Sequence, residues 1–196
     1  METRTDLINH YVKTRGYKSF LEIWTADGAN FRAVECERKV CVDPDPEAKA
    51  TYCTTSDEFF SEVVRPNAKF DIVFVDGFHE WSQALRDARN SLRHLKKGGV
   101  LIMHDCHPVS EECARHIDRY VKPEGAWCGD VWKAFVRLRS LVPFETFVWD
   151  RDFGCGVVDT SKQASVKAEV PEDVRDLTYA DFLDNPHWMN FRESVQ

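Results

Sequence analysis

Short apolar runs alternate along this chain with segments whose apolar residues recur three or four positions apart. Within the first sixteen residues, LINHYVKTRG reads as a short amphipathic helix stopped by Gly16. SFLEIW (19–24) is a compact apolar run, followed by the turn TADGAN and by FRAVECERK, which is expected to be helical. KVCV (39–42) ends in DPDP, and because Pro44 and Pro46 cannot continue a central strand, Asp43 is fixed at its carboxyl end. ATYCTT is β-branched enough for a third strand, and SDEFFSEVV is expected to be a helix with Ser56 or Asp57 as its cap. FDIVFVDG (70–77) is the clearest buried strand. Trp81, Leu85, Ala88, Leu92 and Leu95 then fall on one helical face. Lys97-Gly98-Gly99 is expected to end that helix before VLIMHD, the fifth strand. Asp130 is expected to cap VWKAFVRLRSL, and FETFVWD and CGVVD supply two last strands able to pair as an antiparallel edge.

Strands alternating with helices imply βαβ crossovers, hence an α/β fold with a doubly wound, mostly parallel sheet of about seven strands. The core domain is expected over residues 1–160. Residues 161–196 form a polar arm and then an aromatic segment, LTYADFLDNPHWMNF, expected to dock on it. At 196 residues the chain can bury a core without metal or disulfide staples, so a metal here is expected to serve function.

Charge narrows the partners. With a formal net charge of -7 and basic residues interleaved with acids, no nucleic-acid partner is expected. Seven cysteines form no CxxC pair, which excludes a zinc ribbon or thioredoxin-type site, and the odd count suggests reduced thiols in the cytoplasm. No apolar stretch reaches the ~20 residues of a membrane span.

The chemistry concentrates at 71–108, where FDIVFVDGFHEW and GGVLIMHDCHP each run from an apolar strand into acids and histidines. Ligands of open α/β sheets bind at the carboxyl ends of the strands. Asp76 and His79 after one strand, with His104, Asp105 and His107 after the other, therefore mark an active-site rim. Asp43 suits a pair of ribose hydroxyls. The turn Asp27-Gly28-Ala29-Asn30 can offer backbone amides to a ligand. Without a GxGxxG pattern a pyrophosphate ligand such as NAD is disfavoured, which points to an adenosyl compound, S-adenosylmethionine.

LEIWTADGANF, VDPDP, TSDEFF, FDIVFVDGFHEW, LRDARNSLRHLKKGGVLIMHDCHP and GDVWK together resemble the class I S-adenosylmethionine-dependent methyltransferases over residues 17–158. Within them, the small-molecule group with VDG.H followed by GG....HD is similar to the metal-dependent sugar O-methyltransferases of macrolide biosynthesis and, more distantly, to catechol O-methyltransferase. The resemblance implies a Rossmann-like fold and methyl transfer to a hydroxyl of a small sugar-like or phenolic acceptor. It implies that Glu22, Trp24, Gly28 and Asn30 line the cofactor loop, that Asp43 holds the ribose, and that Ser56 and Asp57 border the adenine. Asp76, counted with the cofactor loop as well, would bind Mg²⁺ or Mn²⁺ with Asp105 and His104. His79 would be the general base, with His104 beside it.

Those residue types fit. Two hard carboxylates suit Mg²⁺ or Mn²⁺, and a histidine near its ordinary pKa is a competent proton acceptor. The structural alternatives are His79 as a helix cap, His104 as a support, His94 and His116 as surface residues, and Trp127 and Trp132 as core. One departure bears on function: Trp24 stands where the family closes LEIG with glycine, and its indole either turns into the core or crowds the cofactor. A silent relative binding a nucleoside or protein, and a nucleotide-dependent oxidoreductase, are the rival readings.

Overall fold

The computed structural model describes residues 1–117, 125–166 and 168–195. Thr3 opens helix α1 (Arg4–Arg15) with a capping box closed by Asp6, and Gly16 ends it in a left-handed conformation, as expected. Leu7, Ile8, Tyr11 and Val12 form its buried stripe.

Eight strands make one sheet: β1 (Ser19–Ile23), β2 (Arg38–Asp43), β3 (Tyr52–Cys53), β4 (Phe70–Val75), β5 (Leu95–Met103), β6 (Phe144–Trp149), β7 (Cys155–Gln163) and β8 (Phe191–Arg192). Their order is β3-β2-β1-β4-β5-β7-β6-β8. Every neighbouring pair is parallel except β7 with β5 and with β6. This is the expected α/β Rossmann-like sheet with an antiparallel hairpin, plus one strand more, contributed by the C-terminal segment. β1 lies between strands reached in opposite directions along the sheet, so its carboxyl end faces the crevice where ligands bind in such folds.

Two apolar layers hold the sheet. Leu21, Ile23, Val73, Val75, Leu101 and Met103 face one, completed by Trp132 and Phe135 of helix α5 (Val131–Leu141). Phe20, Ile72, Phe74, Val100 and Ile102 face the other, covered by α1. Helix α4 (Trp81–Arg93) buries Ala84, Asp87, Ala88 and Ser91. Helix α6 (Tyr179–Asp184) seats Phe182 on Trp132, ring centroids 5.2 Å apart, so the aromatic C-terminal segment docks.

Several boundaries differ from the sequence reading. Helix α2 (Ala29–Ala33) stops after five residues instead of continuing through FRAVECERK. Helix α3 (Ser56–Glu58) passes at once into a π-type turn, and Thr55, not Ser56 or Asp57, caps it. α4 ends at Arg93, well before Lys97-Gly98-Gly99, and His94 at its end is buried with Nδ1 2.9 Å from the Ala68 carbonyl, not on the surface. Asp130 does not cap its own helix. Its Oδ1 instead accepts from the Trp81 amide at 2.7 Å, tying the start of α4 to the start of α5.

Candidate active site

At the carboxyl edge of the sheet the backbone is repeatedly left-handed: Trp24, Ala26, Asp105, Asp152 and Phe153 all have positive φ. Such conformations cost about 1–2 kcal/mol each and collect where function over-determines geometry.

β4 and β5 end side by side and deliver the expected cluster. The His104 Nδ1 lies 3.1 Å from Asp76 Oδ1 and 3.1 Å from Asp105 Oδ2. His79 Nε2 lies 3.1 Å from Asp105 Oδ2, and its Nδ1 is 2.8 Å from the Trp127 carbonyl. Donor atoms of Asp76, His104 and Asp105 fall within 4.8 Å of one another. Because Glu80 caps α4 through its own carboxylate, His79 is not the cap. Gly129 makes room for it, since a Cβ there would lie 1.9 Å from the His79 carbonyl oxygen.

Two further members join the cluster, and the sequence reading did not contain them. The Arg4 Nη1 reaches over the sheet edge to Asp76 Oδ2 at 2.9 Å and to His104 Nδ1 at 2.8 Å. Asp152, beyond β6, accepts from the Arg4 amide at 2.7 Å and lies 3.5 Å from His104 Nε2. Asp152 carried a weaker signal, an acid three residues past the apolar strand FETFVW and behind Asp150. Arg4 carried none.

The electrostatics follow from this packing. Burial opposes charge on both histidines, but the surrounding carboxylates outweigh it and raise His79 above the ordinary value and His104 well above it. Burial also opposes the ionised Asp76, yet His104, His79 and Arg4 hold its pKa below the carboxylate range. Glu22, in the middle of β1's buried face, is pushed up to about 8 by burial.

The residues expected to line a cofactor loop gather one strand away. Asp43 Oδ2 accepts from the Thr25 and Ala26 amides, both at 2.9 Å, and Oδ1 accepts from Asp45 at 2.8 Å. Its carboxylate thus shapes the turn after β1. Gly28 starts α2 with φ 74°, and Asn30 accepts from Thr5 of α1 at 2.7 Å. Four buried polar atoms here have no hydrogen-bond partner: Glu22 Oε2, Trp24 Nε1, Thr25 Oγ1 and Asn30 Nδ2. Buried groups of this kind are normally paired, so a local concentration of orphans fits a polar ligand. Trp24, at φ 66°, lays its indole over Gly77, where a Cβ would fall 2.0 Å from its Cδ1, and stacks on Phe78 at 6.2 Å. Its indole packs against the core cluster that includes Val42, while its N–H stays unpaired. Ser56 accepts from Gln83 at 3.2 Å, and exposed Asp57 pairs with Arg86 at 3.0 Å.

Of the 106–129 loop expected to meet the acceptor, residues 118–124 lie outside the described residues. A second acidic group, Glu80, His116 and Asp130, lies behind His79. Lys133 Nζ, 3.8 Å from Asp130 Oδ2, supplies a cation there. His107 pairs with Asp150 at 2.6 Å and packs on Phe191, which fastens the C-terminal segment.

Comparison with known proteins agrees with this geometry. A family model described as a methyltransferase domain matches residues 19–106, which run from β1 to just past β5. No curated protein matches the chain. Among solved structures, a candidate caffeoyl-CoA O-methyltransferase from Staphylococcus aureus superposes with a TM-score of 0.59 at 16% identity, covering 79% of this chain and 82% of its own. The O-methyltransferase TomG of Streptomyces achromogenes, involved in tomaymycin synthesis and solved with S-adenosylmethionine, gives 0.56 at 16% identity, covering 80% and 79%. An O-methyltransferase from Bacillus cereus, solved with S-adenosylhomocysteine, gives 0.52 at 15%, covering 80% of each. At these identities the structures establish a shared fold, and the family model finds residues 19–106, from β1 to just past β5, similar to a methyltransferase domain. No helix among the described residues is long and apolar enough to cross a membrane.

Proposed function

We propose that this protein transfers a methyl group from S-adenosylmethionine to a hydroxyl of a small sugar-like or phenolic molecule. The observation that carries the reading is the group of orphaned polar atoms at the β1–α2 turn, one strand from a carboxylate–histidine cluster. Glu22, Thr25 and Asn30 offer two acceptors and a donor, the complement that the charged amino-acid end of the cofactor needs. Asp43 keeps one Oδ1 lone pair for the ribose while fixing the turn, and Ser56 and Asp57 would border the adenine.

Asp76, Asp105 and His104 suit a divalent cation, and the nitrogen donor favours Mn²⁺ over Mg²⁺. When bound there, the ion would act as a Lewis acid lowering the pKa of the acceptor hydroxyl. Arg4 must withdraw from Asp76 to admit it, so the ion and the guanidinium compete for one carboxylate. The chain's own residues do the rest. The Trp127 carbonyl fixes the His79 ring through Nδ1 and leaves Nε2 as the atom that takes the acceptor's proton. Asp105 stabilises the imidazolium so formed. Trp24, stacked on exposed Phe78, forms the crevice's apolar side.

Calorimetric titration of S-adenosylhomocysteine, with and without Mn²⁺, tests the reading. Saturable binding that weakens at least tenfold in Asp43→Ala supports it, because charge-assisted hydrogen bonds contribute on the order of 1.5–3 kcal/mol each. No binding in either condition would favour the silent relative, with Trp24 filling the site.

A further inference from the structure

Behind the cluster, two cysteines meet. Cys113 Sγ lies 3.2 Å from Cys128 Sγ, and both side chains are buried and unbonded to any other cysteine. Their backbones are already latched, since the Cys128 and Gly129 amides donate to the Cys113 carbonyl at 2.9 and 3.0 Å. A disulfide needs the sulfurs to approach by about another 1 Å, with no change in which segments are paired. The other free cysteines have no such sulfur contact among the described residues.

Cys128 also has a place beside the cluster. Burial, with the Asp105 carboxylate and Cys113 nearby, pushes its thiol pKa up. The residue before it, Trp127, supplies the carbonyl that holds His79, with the rings 5.0 Å apart. The residue after it, Gly129, abuts the His79 backbone.

We propose that Cys113 and Cys128 are a reversible disulfide-forming pair whose oxidation is felt at Asp105 and His79. The oxidant is a low-molecular-weight disulfide of the glutathione type. Cys113, beside exposed Glu111 and Glu112, attacks first when the turn at 110–114 opens; it forms a mixed disulfide, loses its proton to solvent and releases one thiol. Cys128 then attacks the Cys113 sulfur, loses its own proton and expels the second thiol. The two protein thiols are oxidised by two electrons and one external disulfide is reduced to two thiols. The bond removes the S–H that faced Asp105 and welds Trp127–Gly129 to the 110–114 turn. The effect on turnover rests on the methyltransferase reading, whereas the bond itself does not.

The test uses the full chain, reduced, desalted and incubated with oxidised glutathione, then alkylated under denaturing conditions and mapped by peptide mass. The expected product lacks two hydrogens, links the Cys113 and Cys128 peptides, and leaves the other five cysteines alkylated. Cys113→Ser should abolish the link, and dithiothreitol should reverse it in the wild-type chain. Alkylated Cys113 and Cys128, or linkage to other cysteines, overturns the pair. In ¹H–¹⁵N spectra of the linked protein the His79 and Asp105 amides should shift and return on reduction. Unmoved amides would overturn the connection to the site. None of these readouts needs turnover, so failure of methyl transfer is scored separately.

Discussion

Trp24 places the largest side chain of the site in a backbone conformation that disfavours any side chain. With φ 66° it pays about 1–2 kcal/mol that glycine would not. Its partly buried indole also returns less packing than a full core residue. Trp24→Gly should therefore cost less than the roughly 3–5 kcal/mol of a core aromatic truncation, and should tighten S-adenosylhomocysteine binding by opening the space above Gly77. A full core-sized loss of melting temperature with unchanged affinity would make the indole a structural plug. Glu22 supplies a second test. Its folded pKa of about 8 lies above the unfolded carboxylate value, so the unfolded chain loses its proton first and stability declines as pH rises from about 4.5 toward 8. Glu22→Gln should flatten that part of the stability–pH profile and raise the melting temperature at pH 8. A profile that keeps its slope would assign it to other groups. The histidines act in the same direction by the opposite route. Raised above 6.5, His79 and His104 contribute stability that is complete below that value and is lost as pH rises through their folded values.

At the scale of elements, α1 is more than a cover for the sheet, because its first residue carries the guanidinium that neutralises Asp76. Arg4→Ala leaves the capping box intact but unpairs carboxylates at Asp76 and Asp152. The expected result is a lower melting temperature without ions and a larger rise on adding Mn²⁺ than the wild type shows, since the ion no longer competes with an internal cation. Equal Mn²⁺ responses in the two proteins would remove Arg4 from the ion site. Sequence periodicity found most elements because β1, β4 and the second half of β5 are buried on both faces and read as largely apolar runs. It failed where a third partner decides. α2 ends at Ala33 because the Lys39 ammonium takes the carbonyls of Phe31 and Val34, at 2.7 and 3.0 Å. Asp130 looked like a cap for the helix that follows it, but α5 is placed so that its carboxylate meets the α4 terminus instead. The acids and histidines of the site were legible because they interrupt apolar strands. Arg4 was invisible, since an arginine at a helix start is ordinary until α1 is folded over the sheet.

Across the whole molecule, the C-terminal segment closes the sheet edge from about 30 residues away in sequence. β8 extends β6, Met189 is fully buried, and Phe182 and Phe191 enclose His107, which follows Asp105 by two positions. The segment therefore joins the rim of the carboxylate–histidine cluster to the far edge of the sheet. Ending the chain after Gln163 would leave β7 and the β6–β7 pairing whole but bare Trp132, Phe144 and the outer edge of β6. Burying side chains such as Phe182 and Met189 contributes roughly 1.5–3 kcal/mol each, a sizeable part of the 5–15 kcal/mol typical of a domain. The truncated chain is expected to melt at a markedly lower temperature and to bind the dye ANS through the uncovered patch. Its S-adenosylhomocysteine affinity should stay within a few fold of the full chain below the transition, because among the described residues the side chains of the proposed cofactor loop make no hydrogen bond to the segment. On the proposed reading, acceptor turnover should fall further than cofactor affinity, since the His107–Phe191 contact holds the chain just beyond Asp105. Equal losses of affinity and turnover would mean that the segment supports the fold as a whole and not that side of the site.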